Sequence, residues 1–144
     1  MKTIKFSLPI ILVLLSTTVC FCQTEEADQY PIDTELEKCN SEDTNQTTNG
    51  MMNCEAVARD AWEKEMNKFL KLLSDTLTGA ELFKLQESQN NWVKYKNAEF
   101  DFSSSFYYGL QGSIWKIAAV SRQSELFRQR ALEFQMYYDA LKQE

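Results

Sequence analysis

The 144-residue chain contains no histidine. That absence excludes Ser-His-Asp and Cys-His catalysis, and with them His-dependent zinc sites. Glycine and proline are scarce, at four and two residues, which leaves little material for the many tight turns of a strand-rich fold. Cations are the minority sign, 15 Lys and Arg against 21 Asp and Glu, for a formal charge of −6. Nucleic acid is not an expected partner, because phosphate recognition needs clustered Lys and Arg. The chain also lacks a Gly-rich phosphate loop, an Asp-rich calcium loop and a nucleophile elbow. Acids that could pair for glycoside hydrolysis stand mostly beside Lys or Arg at solvent-facing helical positions, where surface charge is the usual role. The expectation is a binding protein and not an enzyme, with no cofactor and no metal.

One long apolar run is present, from Phe6 to Val19, preceded by Lys2 and Lys5. A spanning helix needs about 20 apolar residues, and Gln23-Thr24-Glu25-Glu26 ends this run too early. Residues 1–22 therefore read as a secretory signal cut after Cys22, with Cys20 as the alternative site. Thr17-Thr18-Val19 ahead of Cys20 is a poor lipid-attachment pattern. The expected product is exported, periplasmic or secreted, without a membrane span. Cleavage removes two cations and no acid, which deepens the charge from −6 to −8. It also leaves only Cys39 and Cys54, which most simply pair with each other, two free thiols being the alternative. A ring of about 15 residues makes that bridge worth roughly 3 kcal/mol.

Residues 23–49 are polar and acidic, with Pro31 and the run Ser41-Glu42-Asp43-Thr44-Asn45. They read as a flexible leader pinned at its end by the bridge. Asn45-Gln46-Thr47 matches a glycosylation sequon. Residues 50–144 form the expected domain, cut by glycines into three helical segments. The first, Met51 to Leu77, carries Cys54, Ala58, Trp62, Met66, Phe69, Leu73 and Leu77 at steps of three and four. The second opens on Thr78-Gly79-Ala80-Glu81, a capping-box pattern. Its stripe is Leu82, Leu85, Gln89, Trp92, Lys96 and Phe100, with Phe83, Val93 and Tyr95 beside it, and it frays between Phe102 and Tyr108. The third runs from an N-cap at Ser113 to near Lys142. There Ile117, Val120, Phe127, Ala131, Phe134, Tyr138 and Leu141 face the core, and Arg122, Glu125, Arg128 and Glu133 face water. The fold class is all-α, three long antiparallel helices in a small bundle.

Two features stand out. Gln89, Trp92 and Lys96 share one helical face, either as a recognition surface or as a core tryptophan with polar margins. Phe100 to Gly112 joins two helices and is rich in aromatics and serines, as adaptable recognition loops are. The alternative is a connection that folds its aromatics back over the core. If the chain has a partner contact, Phe102, Phe106, Tyr107, Tyr108 and Gln111 are its candidates.

Met52-Asn53-Cys54, Glu65-Met66-Asn67-Lys68-Phe69, the block Gln89 to Lys96, Gln111-Gly112-Ser113 and Arg130 occur in a familiar order. Together they resemble the LprI N-terminal domain family of exported bacterial proteins, over about Cys39 to Phe134. The resemblance implies a disulfide just ahead of and into the first helix, and a motif set here of Gln89, Trp92, Tyr95, Lys96, Gly112, Ser113 and Arg130. Lys96 and Asn97 stand where the family pattern has Arg-Asp. A second disulfide that many members carry is absent, with Phe100 and about Arg122 at its places. The implied function is lysozyme inhibition by a helical domain, and the acidic charge would steer it toward a basic protein partner. The alternative is an accessory envelope module that binds another envelope protein without inhibition.

Overall fold

The computed structural model describes residues 30–143. The expected signal peptide and the first residues of the leader, up to Gln29, lie outside the described residues. Within them the chain is all-helical: α1 (Pro31–Ser41), a single 3₁₀ turn at Asp43–Asn45, α2 (Thr48–Thr76), α3 (Gly79–Tyr108) and α4 (Ile114–Leu141). Four helices thus replace the three expected, because part of the segment read as a flexible leader is α1. Pro31 occupies its first turn, where a missing N–H costs nothing. Ile32, Leu36 and Cys39 give α1 a stripe too thin to stand out as periodicity, and none of its residues is buried. An isolated helix of this length is marginal in water, so tertiary ties hold it. The Cys39–Cys54 disulfide forms, with Cα atoms 5.8 Å apart. At the other end Tyr30 meets Trp62 edge-on at 5.6 Å, and Asp33 pairs with Arg128 of α4 at 3.0 Å.

α2 begins three residues earlier than expected. The Thr47 hydroxyl accepts from the Gly50 amide at 3.0 Å and caps the helix. Gly50 is therefore not a break but a point of close approach. A Cβ there would lie 2.5 Å from the Asn45 backbone. The capping box expected at Thr78 does not form, since its side chain makes no cap bond. Gly79, with φ +56°, turns the first amides of α3 away from that hydroxyl. Ser113 likewise makes no side-chain cap. Its backbone is already helical, so only its carbonyl is used, by Lys116 N–H at 3.1 Å.

α4 lies between α2 and α3. Arg59 to Gln123 and Phe69 to Tyr138 show α2 and α4 running parallel. Gln89 to Arg130 and Glu99 to Arg122 show α3 running antiparallel to α4. α1 packs antiparallel on α2. The core gathers Trp62, Met66, Phe69 and Leu73 of α2, Leu85 of α3, and Phe127, Ala131 and Phe134 of α4. Every expected α2 stripe residue from Cys54 to Leu73 is buried. On α4, Ala119 and Leu126 are also buried, beyond the expected stripe. α3 rests on α4 rather than on α2, and only Leu85 and Ser103 of its 30 residues are buried. Arg122 and Arg128, expected in water, instead reach Glu99 and Asp33 at 3.0 Å each and splice α4 to α3 and to α1.

Candidate functional site

The motif residues of α3 and α4 separate into two places. Gln89, Trp92, Lys96 and Arg130 come together where the N-terminal half of α3 crosses α4. Arg130 is 6% exposed, and three partners satisfy its guanidinium. Nε donates to Gln89 Oε1 at 3.2 Å, Nη2 to Ser88 Oγ at 3.0 Å and Nη1 to Glu133 Oε2 at 2.6 Å. Its Cζ lies 4.2 Å from the Phe134 ring centre and 5.9 Å from that of Trp92. Trp92 in turn meets Phe127 edge-on at 5.7 Å. The Lys96 ammonium sits over Phe100 and Phe127 at 5.0 and 5.1 Å, so a cation–π seat replaces the fork an Arg would use. Tyr95 points outward, its hydroxyl 3.4 Å from Arg122 Nη2. Each cation here is already engaged, so the cluster's work is to fasten α3 to α4. The Glu99–Arg122 pair lies beside the position where the resemblance puts a second disulfide.

The second place is the end of the α3–α4 hairpin, about 25 Å further along α3 at 1.5 Å per residue. Gly112, Ser113 and Gln111 lie in its turn, and Gly112 has φ +109°. The segment expected to be a connecting loop is mostly the last two turns of α3. Phe102, Phe106 and Tyr108 are more than half exposed, as is Ile114 across the turn. The aromatics therefore do not fold back over the core. They brace one another instead: Phe102 stacks on Phe106 at 6.0 Å, Phe106 meets Tyr107 at 5.4 Å, and Tyr107 stacks on Trp115 at 6.0 Å. From Phe102 to Trp115 there is no charged side chain. Ser103 is turned inward, its hydroxyl donating to the Glu99 carbonyl at 2.6 Å. The result is a pre-organised, uncharged apolar tip on an acidic body. Ile114 and Trp115 belong to it, although the sequence reading stopped at Gln111. Their apolar character after the Gly-Ser turn was the available signal.

A smaller polar cavity, about 120 Å³, lies between α1, α2 and α4 and is lined by Asp33, Glu55, Ser124, Glu125 and Arg128 among others. Burial pushes the Glu55 carboxyl above its ordinary range and the charge of Glu125 adds to this, while a hydrogen bond with Ser121 opposes it. The hydrogen bond with Asp33 holds Arg128 more firmly protonated than usual. A carboxyl raised in the folded state favours folding below its unfolded pKa, near 4.3, and that advantage disappears as pH rises through the folded value. Glu55→Gln is therefore expected to stabilise the protein at pH 7, by less than about 1 kcal/mol because the site keeps part of its solvation. The gain should vanish at pH 3. Thermal melts of both proteins across this range check the sign, and a destabilised variant at pH 7 would contradict it.

Among the described residues no group of three or more Cys, Asp or Glu side chains could hold a metal, and no helix is long and apolar enough to cross a membrane. The fold and these two clusters define a disulfide-stapled, all-helical domain with an exposed aromatic tip. Residues 39–134 match the family described as Lysozyme inhibitor LprI, and the chain belongs to that family. No curated protein matches it. A crystal structure of an uncharacterised protein from Burkholderia thailandensis is similar to it, with 25% identity and a TM-score of 0.74. That similarity covers 79% of this chain and 56% of the Burkholderia chain, so this chain spans little more than half of that one.

Proposed function

We propose that the protein is an exported, non-catalytic inhibitor of the lysozyme type, which occludes a basic partner with the tip of the α3–α4 hairpin. The carrying observation is the exposed, uncharged ladder from Phe102 to Trp115. Rigid aromatics that brace one another give contact area at little ordering cost. The acidic body supports the choice of a basic partner, because it would steer the approach while the tip makes the contact. Family membership and the disulfide support an exported inhibitor. The apolar run Phe6 to Val19 is the sequence basis for export.

The test is lysozyme turnover with and without the purified mature domain at low micromolar concentration, using chicken-, goose- and invertebrate-type enzymes. At least one should lose activity. The double variant Phe106→Ser, Trp115→Ser should weaken inhibition by about thirtyfold or more, the scale of a hot-spot loss, with an unchanged melting temperature. Full activity of all three enzymes beside the wild-type domain would refute the proposal.

A further inference from the structure

A second apolar surface lies away from the tip, on α1 and α2 alone. It is an open groove of about 400 Å³ walled by Ile32 and Leu36 of α1 and by Val57, Ala58 and Ala61 of α2, with the disulfide at one end. Ala58 and Ala61 are small, which gives the groove its depth. Val57 is 68% exposed at its edge, and nothing in the chain covers it among the described residues. The rim is acidic. Its charged lining residue is Glu35, on a chain with 21 acids against 15 cations, while Asp33 is turned to Arg128 of α4. Lys38 lies 3.9 Å from Glu35 with both side chains more than two-thirds exposed, a pair too solvated to neutralise the acid.

These features select the occupant. The lining runs from Pro31 to Cys39 along α1, so the groove is about 12 Å long, a little over two helical turns. Two helices with small residues between them form the kind of seat that takes a third helix, read at i, i+4 and i+7. An acyl chain or a second copy of this acidic chain would gain nothing from the Glu35 rim, whereas Lys or Arg flanking an apolar stripe would meet it. We propose that the α1–α2 groove binds a cationic amphipathic helix, the chemistry that membrane-active peptides share. This activity is independent of the tip and of lysozyme inhibition.

The probe is a fluorescein-labelled Leu/Lys amphipathic peptide of about five turns, titrated into the disulfide-bonded mature protein and read by anisotropy. It should bind saturably. Val57→Lys and Glu35→Lys should each weaken binding about tenfold, and both positions are exposed, so circular dichroism melts should match the wild type. The tip variant Phe106→Ser, Trp115→Ser should bind the peptide unchanged, and Val57→Lys should leave lysozyme inhibition unchanged. Equal affinity for a scrambled Leu/Lys peptide, or for the Leu/Glu counterpart, would overturn the proposal. So would insensitivity to Val57→Lys and Glu35→Lys, loss of binding in the tip variant, or a wild-type dimer in sedimentation that Val57→Lys dissolves.

Discussion

Replacing Cys39 and Cys54 together with serine is expected to lower stability by about 3 kcal/mol, the loop-entropy value for a ring of this size. The loss should be localised. α1 buries none of its own residues and is too short to persist alone. Without the bridge it is held by the Tyr30–Trp62 contact and the Asp33–Arg128 pair, and both involve partly exposed groups of modest worth. α2, α3 and α4 keep the core from Trp62 to Phe134. Hydrogen exchange should therefore show α1 amides from Thr34 to Asn40 losing protection while the central amides of α2 and α4 stay slow. Urea unfolding supplies the magnitude. Unchanged protection in α1 would show that the helix is held by packing and not by the staple.

Arg130→Ala should cost about 2–3 kcal/mol, much more than a surface substitution. The guanidinium fills the space against Phe134 and Trp92, and a desolvated cation over a ring is worth up to about 2 kcal/mol. Its removal also strips Gln89 and Ser88 of their donor. Glu133 is 40% exposed and returns to water at little cost. Arg130→Lys keeps the charge but not the fork, and should recover about half of the loss. Because α3 rests on α4 rather than α2, the damage should fall on α3. Amides from Leu85 to Lys96 should exchange faster, with α2 protected as before. A chemical melt of Arg130→Ala within about 0.5 kcal/mol of wild type would reduce the residue to surface decoration.

The sequence carried the long helices because their information is local. Cys54, Ala58, Trp62, Met66, Phe69 and Leu73 state a helical face by spacing alone, and every one of them is buried. Phe127, Ala131 and Phe134 do the same for α4. Helix ends were less legible. Thr78 and Ser113 have the right chemistry for caps, but capping depends on where the first amides point, and Gly79 and the turn at Gly112 decide that. Gly50 looked like punctuation because a glycine required by close approach has the same letter as one that ends a helix.

The Gln89–Trp92–Lys96 face was visible as a stripe, and resemblance put Arg130 in the same motif set without saying that the two meet. Its mechanism was not visible: Ser88, Glu133 and the stack on Phe134 come from two helices whose relative register no local pattern encodes. The same holds for Glu99–Arg122 and Asp33–Arg128, which involve arginines that periodicity placed in water. The tip was marked by its composition, but whether aromatics turn in or out depends on how far α3 extends before it turns.

By itself, then, the sequence determined the helical class, the α2 and α4 core faces, the available cysteine pair and the acidic balance, all properties of spacing and count. Tertiary structure alone decided that α1 exists, that α4 stands between α2 and α3, and that, among the described residues, nothing covers the aromatic tip or the α1–α2 groove. Those outcomes depend on which faces meet across long stretches of chain. Burial supplies that information, and it is written in no single segment.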